Sequence, residues 1–296
     1  LTININIIWF FFIYAFLGWC TEVVYAAGET GKYVNRGFLN GPACPIYGIG
    51  VILVLNLLDP VKDNVFSMFI GSVIITSTIE FTAGFILEKI FHQRWWDYSD
   101  KPFNIGGYIC PSFSLAWGLA CLVVADRIHP LILSFVNWVP QTASQVLLII
   151  FACIFAVDLT ATVRSVLNLN RKLEIMDDFT LKIREASDNI GENLVTGTIA
   201  IVQKKEDLEE SIEATKDRLE ENLIEIRDAR QKALEHRRQA LEELHKANRE
   251  FLEARAFGQR RLLKAFPGLK SIEHKEALEE LKKHILREFN TEGDWK

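Results

Sequence analysis

The sequence has no CxxC pair and no closely spaced pair of histidines. That excludes the common zinc sites and a disulfide framework. The five cysteines (Cys20, Cys44, Cys110, Cys121 and Cys153) all lie in the apolar part of the chain, where they read as buried thiols that pack like small apolar groups. Charge is scarce over long stretches up to about residue 166, and proline is scarce after about residue 170, where Pro267 stands alone. Glu, Lys, Arg and Asp dominate the second part, and such a shift marks a domain boundary. The expected domains are therefore 1–166 and 167–296. Catalytic motifs are missing too. "AAGETGKY" resembles a phosphate loop, but Ala26 takes the first glycine position and Tyr33 follows the lysine, so ATP hydrolysis by that route is excluded. There is no nucleophile elbow or zinc-protease motif. The tail mixes both charge signs, which leaves nucleic-acid binding without support. No enzyme activity, cofactor or metal is expected.

Long apolar runs are what the first part does have. Ile5 to about Ala26, Val65 to Phe91 and Ala143 to about Val163 each suit a bilayer core that needs about 20 helical residues. No basic segment or cleavage pattern marks the first run as a signal peptide, so it reads as a retained span. Two shorter runs, Pro45 to Leu58 and Pro111 to Ala125, either cross by extending into their flanks or dip in and return. If all five cross, one side carries Lys32, Arg36, Lys89, Arg94, Lys101, Arg164, Arg171 and Lys172, and the other only Lys62 and Arg127. The positive-inside rule then puts the first set and the tail in the cytoplasm.

A shift of 66 places the sequence on itself. Gly18 falls on Gly84, Glu22 on Glu88, Gly41 on Gly107, Cys44 on Cys110 and Pro45 on Pro111. Each copy, at about 5–58 and 71–125, reads as one long helix, a Gly/Pro loop and a short helix that proline opens. The loops "NRGFLNGPACPIYGIG" and "NIGGYICPSFSLAWG" are then one structural corner built twice. They are either tight turns or the lining of a shared vestibule.

The costly residues in this part are Glu22, Glu80, Glu88 and Asp158. Thr76, Glu80, Gly84 and Glu88 share a helix face, as do Tyr14, Gly18, Glu22 and Ala26. Glycine beside an acid marks a close helix contact. The acids should point into the bundle towards Arg36, Arg94, Asn35 or Asn104. There they either pin the loops by ion pairs or bind a cation, a proton or a basic head group. In "RWWDYS" (Arg94 to Ser99), Trp95, Trp96 and Tyr98 suit the headgroup layer; the alternative is a ligand or partner surface with Asp97 as its polar contact. The candidate ligand-binding residues are thus Glu22, Glu80, Glu88, Asn35, Arg36, Asn104, Trp96, Asp97 and Tyr98.

In the tail, Leu208, Ile212, Leu219, Leu223, Ile226, Ala233, Ala240, Leu244, Ala247 and Phe251 form a heptad-like seam with a stutter. It predicts a coiled-coil-like helix over about 202–256, within one chain or between chains of a homo-oligomer. "NIGENLVTGTIA" (Asn189 to Ala200) reads as a hinge or break before it. "AFPGLKS" (Ala265 to Ser271) ends the helix, and a short helix of about 272–289 follows. Its Leu278, Leu281 and Ile285 are placed to fold back on Leu262, Leu263 and Phe266.

"GWCTEVVY", "NRGFLNGPACPIYGIG", "WWDYS" and "FNIGGYICP" resemble the bacterial family named "putative type IV ABC-transporter permeases", and "RRLLKAFPGLKS" resembles the tail of its longer members. The resemblance implies a multi-pass permease subunit working with a separate ATPase and in contact with membrane lipids. It brings no assigned substrate or catalytic residue. The fold class expected is an all-α polytopic membrane bundle with an internal two-helix repeat and a long cytoplasmic helical tail. A non-transporting scaffold or regulator is the alternative function, because the outer halves of the spans are almost wholly apolar.

Overall fold

The computed structural model describes residues 5–209 and 258–292, together with separate positions between 227 and 247. It is all-α apart from one two-residue strand pair. In chain order come α1 (Ile5–Thr30), α2 (Pro45–Leu57), α3 (Val65–Phe91), β1 (Gln93–Arg94), α4 (Pro111–Val123), α5 (His129–Trp138), α6 (Gln141–Glu209), α7 (Gln259–Ala265), β2 (Lys270–Ser271) and α8 (Lys275–Glu292). The chain forms two compact units: Leu1–Arg171 with Ala256–Leu278 and Gly293–Lys296, and Lys172–Arg255 with Glu279–Glu292.

Among the described residues, four helical stretches are long and apolar enough to cross a membrane: Ile5–Thr30, Val65–Phe91, Pro111–Trp138 and Gln141–Glu185. The Pro111 run gains its length from its flank. A π-helical turn at Val124–Ile128 joins α4 to α5 without a break, so the path runs 28 residues. Pro45–Leu57 remains short. Its start explains why: the Cys44 N–H donates to the Ala15 carbonyl, and Gly48 packs on the backbone of Phe11. Both partners lie in the first half of α1, so the loop before α2 descends into the bundle and the helix begins partway down.

Proline opens α2 and α4 at the first turn, where its missing N–H costs nothing. The two helices span Pro45–Leu57 and Pro111–Val123, the same length at an offset of 66. Corresponding contacts hold each to the long helix before it. Gly48 meets Phe11, and Ser114 bonds Ser77 at 2.8 Å. Gly18 lies flat against the Tyr47 ring, a contact that any side chain would break. Asn64 caps α3 by accepting from the Ser67 N–H, and His92 ends it in the left-handed conformation.

The end of the bundle opposite the loops is packed with rings. Trp9 meets Phe135 and Phe151 edge-on, and Phe11 and Phe12 meet Phe155. Ile132, Val136 and Leu148 complete the core there. Its polar groups pair inside: Trp9 Nε1 donates to Ser144, and Tyr14 bonds His129. Among the cysteines, Cys44, Cys110 and Cys121 are buried, but Cys20 is half-buried and Cys153 exposed. The expectation of buried thiols thus holds for three of them. Cys153 sits on an outward apolar face of α6, where lipid can take the place of a protein core.

The expected break at Asn189–Ala200 does not occur. α6 is helical from Gln141 to Glu209. One glycine in a helix interior costs about 1 kcal/mol, and the helix runs through Gly191 and Gly197 without interruption. The coiled-coil seam over about 202–256 lies mostly outside the described residues. In the second unit, Leu173 and Met176 are buried along α6, and Leu281 and Ile285 along α8.

Candidate functional site

The site is built at the loop end, where residues 31–44 and 92–110 meet α1, α3 and α6. Its first element is an acid inside a span. Asp158 of α6 accepts from the backbone N–H of Asn40 at 3.0 Å and of Gly41 at 2.7 Å, and from Asn40 Nδ2 at 3.0 Å. Asn40 also donates to Thr162 one turn on. A charge in an apolar helix is costly, but here it satisfies the backbone of a loop that has left water. Asp158 is the residue that sequence reasoning noticed without finding its role. The signal available was its position in the same depth range as the polar loop.

Each hairpin then pairs an acid with an arginine. Glu22 meets Arg36 at 3.6 Å, and Glu88 meets Arg94 at 2.8 Å. Both guanidinium groups lie over a tyrosine ring: Arg36 over Tyr25 at 5.0 Å and Arg94 over Tyr108 at 4.9 Å. The two arginines do not correspond at the offset of 66, so the arrangement recurs although the residue supplying the charge shifts. Arg36 also reaches Glu29, and Arg94 reaches Asp97.

Asn35 and Asn104 organise their own loops and do not meet the acids. Asn35 Oδ1 accepts from Trp19 Nε1 and the Gly37 N–H, and its Nδ2 donates to the Asn40 carbonyl. Asn104 donates to the Ser99 and Lys101 carbonyls and accepts from the Gly107 N–H. Gly107 has φ +74, and a Cβ there would come 2.5 Å from Asp97 Oδ1. Only glycine fits on both counts.

Glu80 and Glu22 are brought near each other. Tyr47 Oη donates to Glu22 at 2.5 Å, and Tyr98 Oη to Glu80 at 3.1 Å. Glu80 Oε2 is buried and has no hydrogen-bond partner. Tyr47 packs on Trp117 and Tyr98 stacks on Phe113, so residues of α4 pack against both phenol rings. Burial and the nearby Glu80 push the Tyr98 phenol far above its usual range; it therefore stays a donor. The second oxygen of Glu80 suits a cation, a proton or another donor, whereas the second oxygen of Glu22 already faces Arg36 at 3.6 Å.

The rings of "RWWDYS" make contacts within the protein. Trp95 is 5% exposed, edge-on to Phe38 and Phe266. Trp96 covers Gly84 and donates to the Tyr108 carbonyl. Tyr98 points to Glu80. Amphipathic rings suit an interface and a polar protein interior equally, and here a partner from the C-terminus decided the outcome. Asp97 takes Ser99 and Lys270 as partners. Burial alone would push its pKa up, but those hydrogen bonds and the Lys270 charge hold the carboxyl far below the usual range.

The family described as "Putative ABC-transporter type IV" matches residues 9–163. The chain belongs to that family. No curated protein and no solved structure matches it. The family region holds every candidate residue named above and Asp158. Residues 164–296, including the segment that touches Trp95 and Asp97, lie outside the match.

Proposed function

We propose that the chain is the membrane subunit of a bacterial ABC-type system, with its loops and tail in the cytoplasm of the inner membrane. It catalyses no reaction itself, and a separate ATPase docks from the loop side. The recess between the hairpins takes a small cationic or hydrogen-bond-donating group, such as an amine head group of a lipid. One observation carries this reading: Glu22 and Glu80 arrive from different hairpins, each taking a tyrosine hydroxyl, and Glu80, unlike Glu22 with its Arg36, keeps one buried oxygen free of any protein partner. The matching hairpin geometry at an offset of 66 supports an ancestral duplication, with the recess at its interface.

A second reading is favoured by the ring-packed far end. A transport path needs polar groups along its length, and there they pair among themselves. On this reading the chain is a non-transporting scaffold or regulator with a one-sided lipid or partner site, and its tail recruits proteins or a second copy. Purification of the full chain from native membranes, with lipid and protein mass spectrometry, tests both. A co-eluting ATPase supports the subunit reading. Other cytoplasmic proteins without an ATPase support the scaffold. A Glu80→Gln chain that keeps the same stoichiometric lipid refutes the recess as its site.

A further inference from the structure

The segment 258–274 touches both Gly/Pro loops. On the first, Arg261 donates from Nη1 to the Gly37 carbonyl at 2.8 Å and from Nη2 to the Phe38 carbonyl at 2.9 Å. Gly258 sits so close to Ser165 that a Cβ would come 2.5 Å from its hydroxyl, with Asn40 also in reach. Burial pulls the Arg261 guanidinium below its usual range while Asp158 nearby works against that. On the second loop, β2 pairs antiparallel with β1, Gln93 opposite Ser271 and Arg94 opposite Lys270. The Ile272 N–H donates to the His92 carbonyl, and Lys270 bonds Asp97 at 2.6 Å. Phe266 closes on Trp95, which also meets Phe38 of the first loop. One segment thus binds carbonyls of one loop, adds a strand to the other, and fills the aromatic gap between them.

We propose that residues 258–274 are a clamp across both loops, and that the loops keep their recessed order only while the clamp is closed. The family match ends at residue 163, so the clamp is an addition to the family region. In sequence it lies between the two stretches of the second unit, Lys172–Arg255 and Glu279–Glu292. The loops carry the groups that reach Glu22 and Glu88, so opening the clamp frees Arg36 and Arg94 to leave them. The clamp stands whether or not the recess takes a ligand.

Hydrogen exchange on the full chain, solubilised or in vesicles, tests this. Arg261→Ala with Lys270→Ala should speed exchange at Asn40, Gly41 and Tyr98 by about tenfold or more, while the interiors of α1 and α3 keep their protection. Arg261→Lys, which keeps the charge but cannot span two carbonyls, should give a smaller change confined to the first loop. It serves also if the double variant does not fold. Oxidised Gln93→Cys with Ser271→Cys, whose backbones face each other across the strand pair, should restore slow exchange at Tyr98 in the Lys270→Ala chain. Unchanged exchange at Asn40 and Gly41 in both Arg261 variants overturns the clamp. So does faster exchange at Ile272 alone, since the segment would then leave without the loops responding.

Discussion

Replacing Asp158 by alanine is the sharpest test of why an acid lies inside a span. The carboxylate takes three hydrogen bonds from the first loop, two of them from backbone N–H groups at 3.0 and 2.7 Å. Alanine removes the acceptor of all three. Each unmade buried bond costs about 1–3 kcal/mol. Asp158 is only partly buried, so the low end applies to each, and the loss should be about 3 kcal/mol. For a unit of this size, each kcal/mol moves the melting point by about 2–4 °C, which gives a fall of about 6–12 °C. Asp158→Asn should fall between: it keeps one acceptor oxygen but points an amide N–H at a backbone N–H. The assay is thermal unfolding of the detergent-solubilised full chain, followed by loss of the monodisperse peak. An Asp158→Ala chain that melts within 1 °C of the parent would refute the argument, because the acid would then be doing nothing for the loop.

Gly18→Val drives a side chain into the Tyr47 ring and should cost about 1–3 kcal/mol, read by the same melting assay; Gly28→Ala, with open space around it, should be nearly neutral. Asp97 titrates well below an ordinary carboxyl, so its stabilising contribution is present above the unfolded value of about 4 and is lost only as pH falls through the depressed folded value. Protection at Ile272 should accordingly survive from pH 7 to about pH 4, and Asp97→Asn should lower it throughout that window. Glu22→Gln and Glu88→Gln should produce alike losses of loop protection if the hairpins are equivalent; unrelated effects would count against a duplication. Cross-linking of the full chain should trap dimers if the seam pairs between copies, and a strictly monomeric product rules out an intermolecular coil.

The bundle was legible because apolar length and proline position are local properties. Pro45 and Pro111 mark the helix starts directly, and the charge pairs Glu22–Arg36 and Glu88–Arg94 follow from placing each acid near the loop beside it. What could not be read was contact across long separations. Trp95 and Tyr98 have the chemistry of interface residues, and only Phe266, about 170 positions further on, turns Trp95 inward. Asp158 stood out as expensive, yet its partners are backbone groups, and backbone donors have no signature in a sequence. Asn35 and Asn104 sit in the loops from which an acid partner would come, yet their side chains mimic turns within those loops.

The depth at which α2 begins has an electrical consequence. With the Cys44 N–H bonded to Ala15, the polar chain reaches well down α1 before the apolar layer is sealed. A membrane potential, worth about 2.3 kcal/mol per charge per 100 mV over the full thickness, then falls mainly across the ring-packed remainder. A cation arriving at Glu80 from the loop side would feel only a small part of that voltage, so its binding there should depend little on whether the cell is energised.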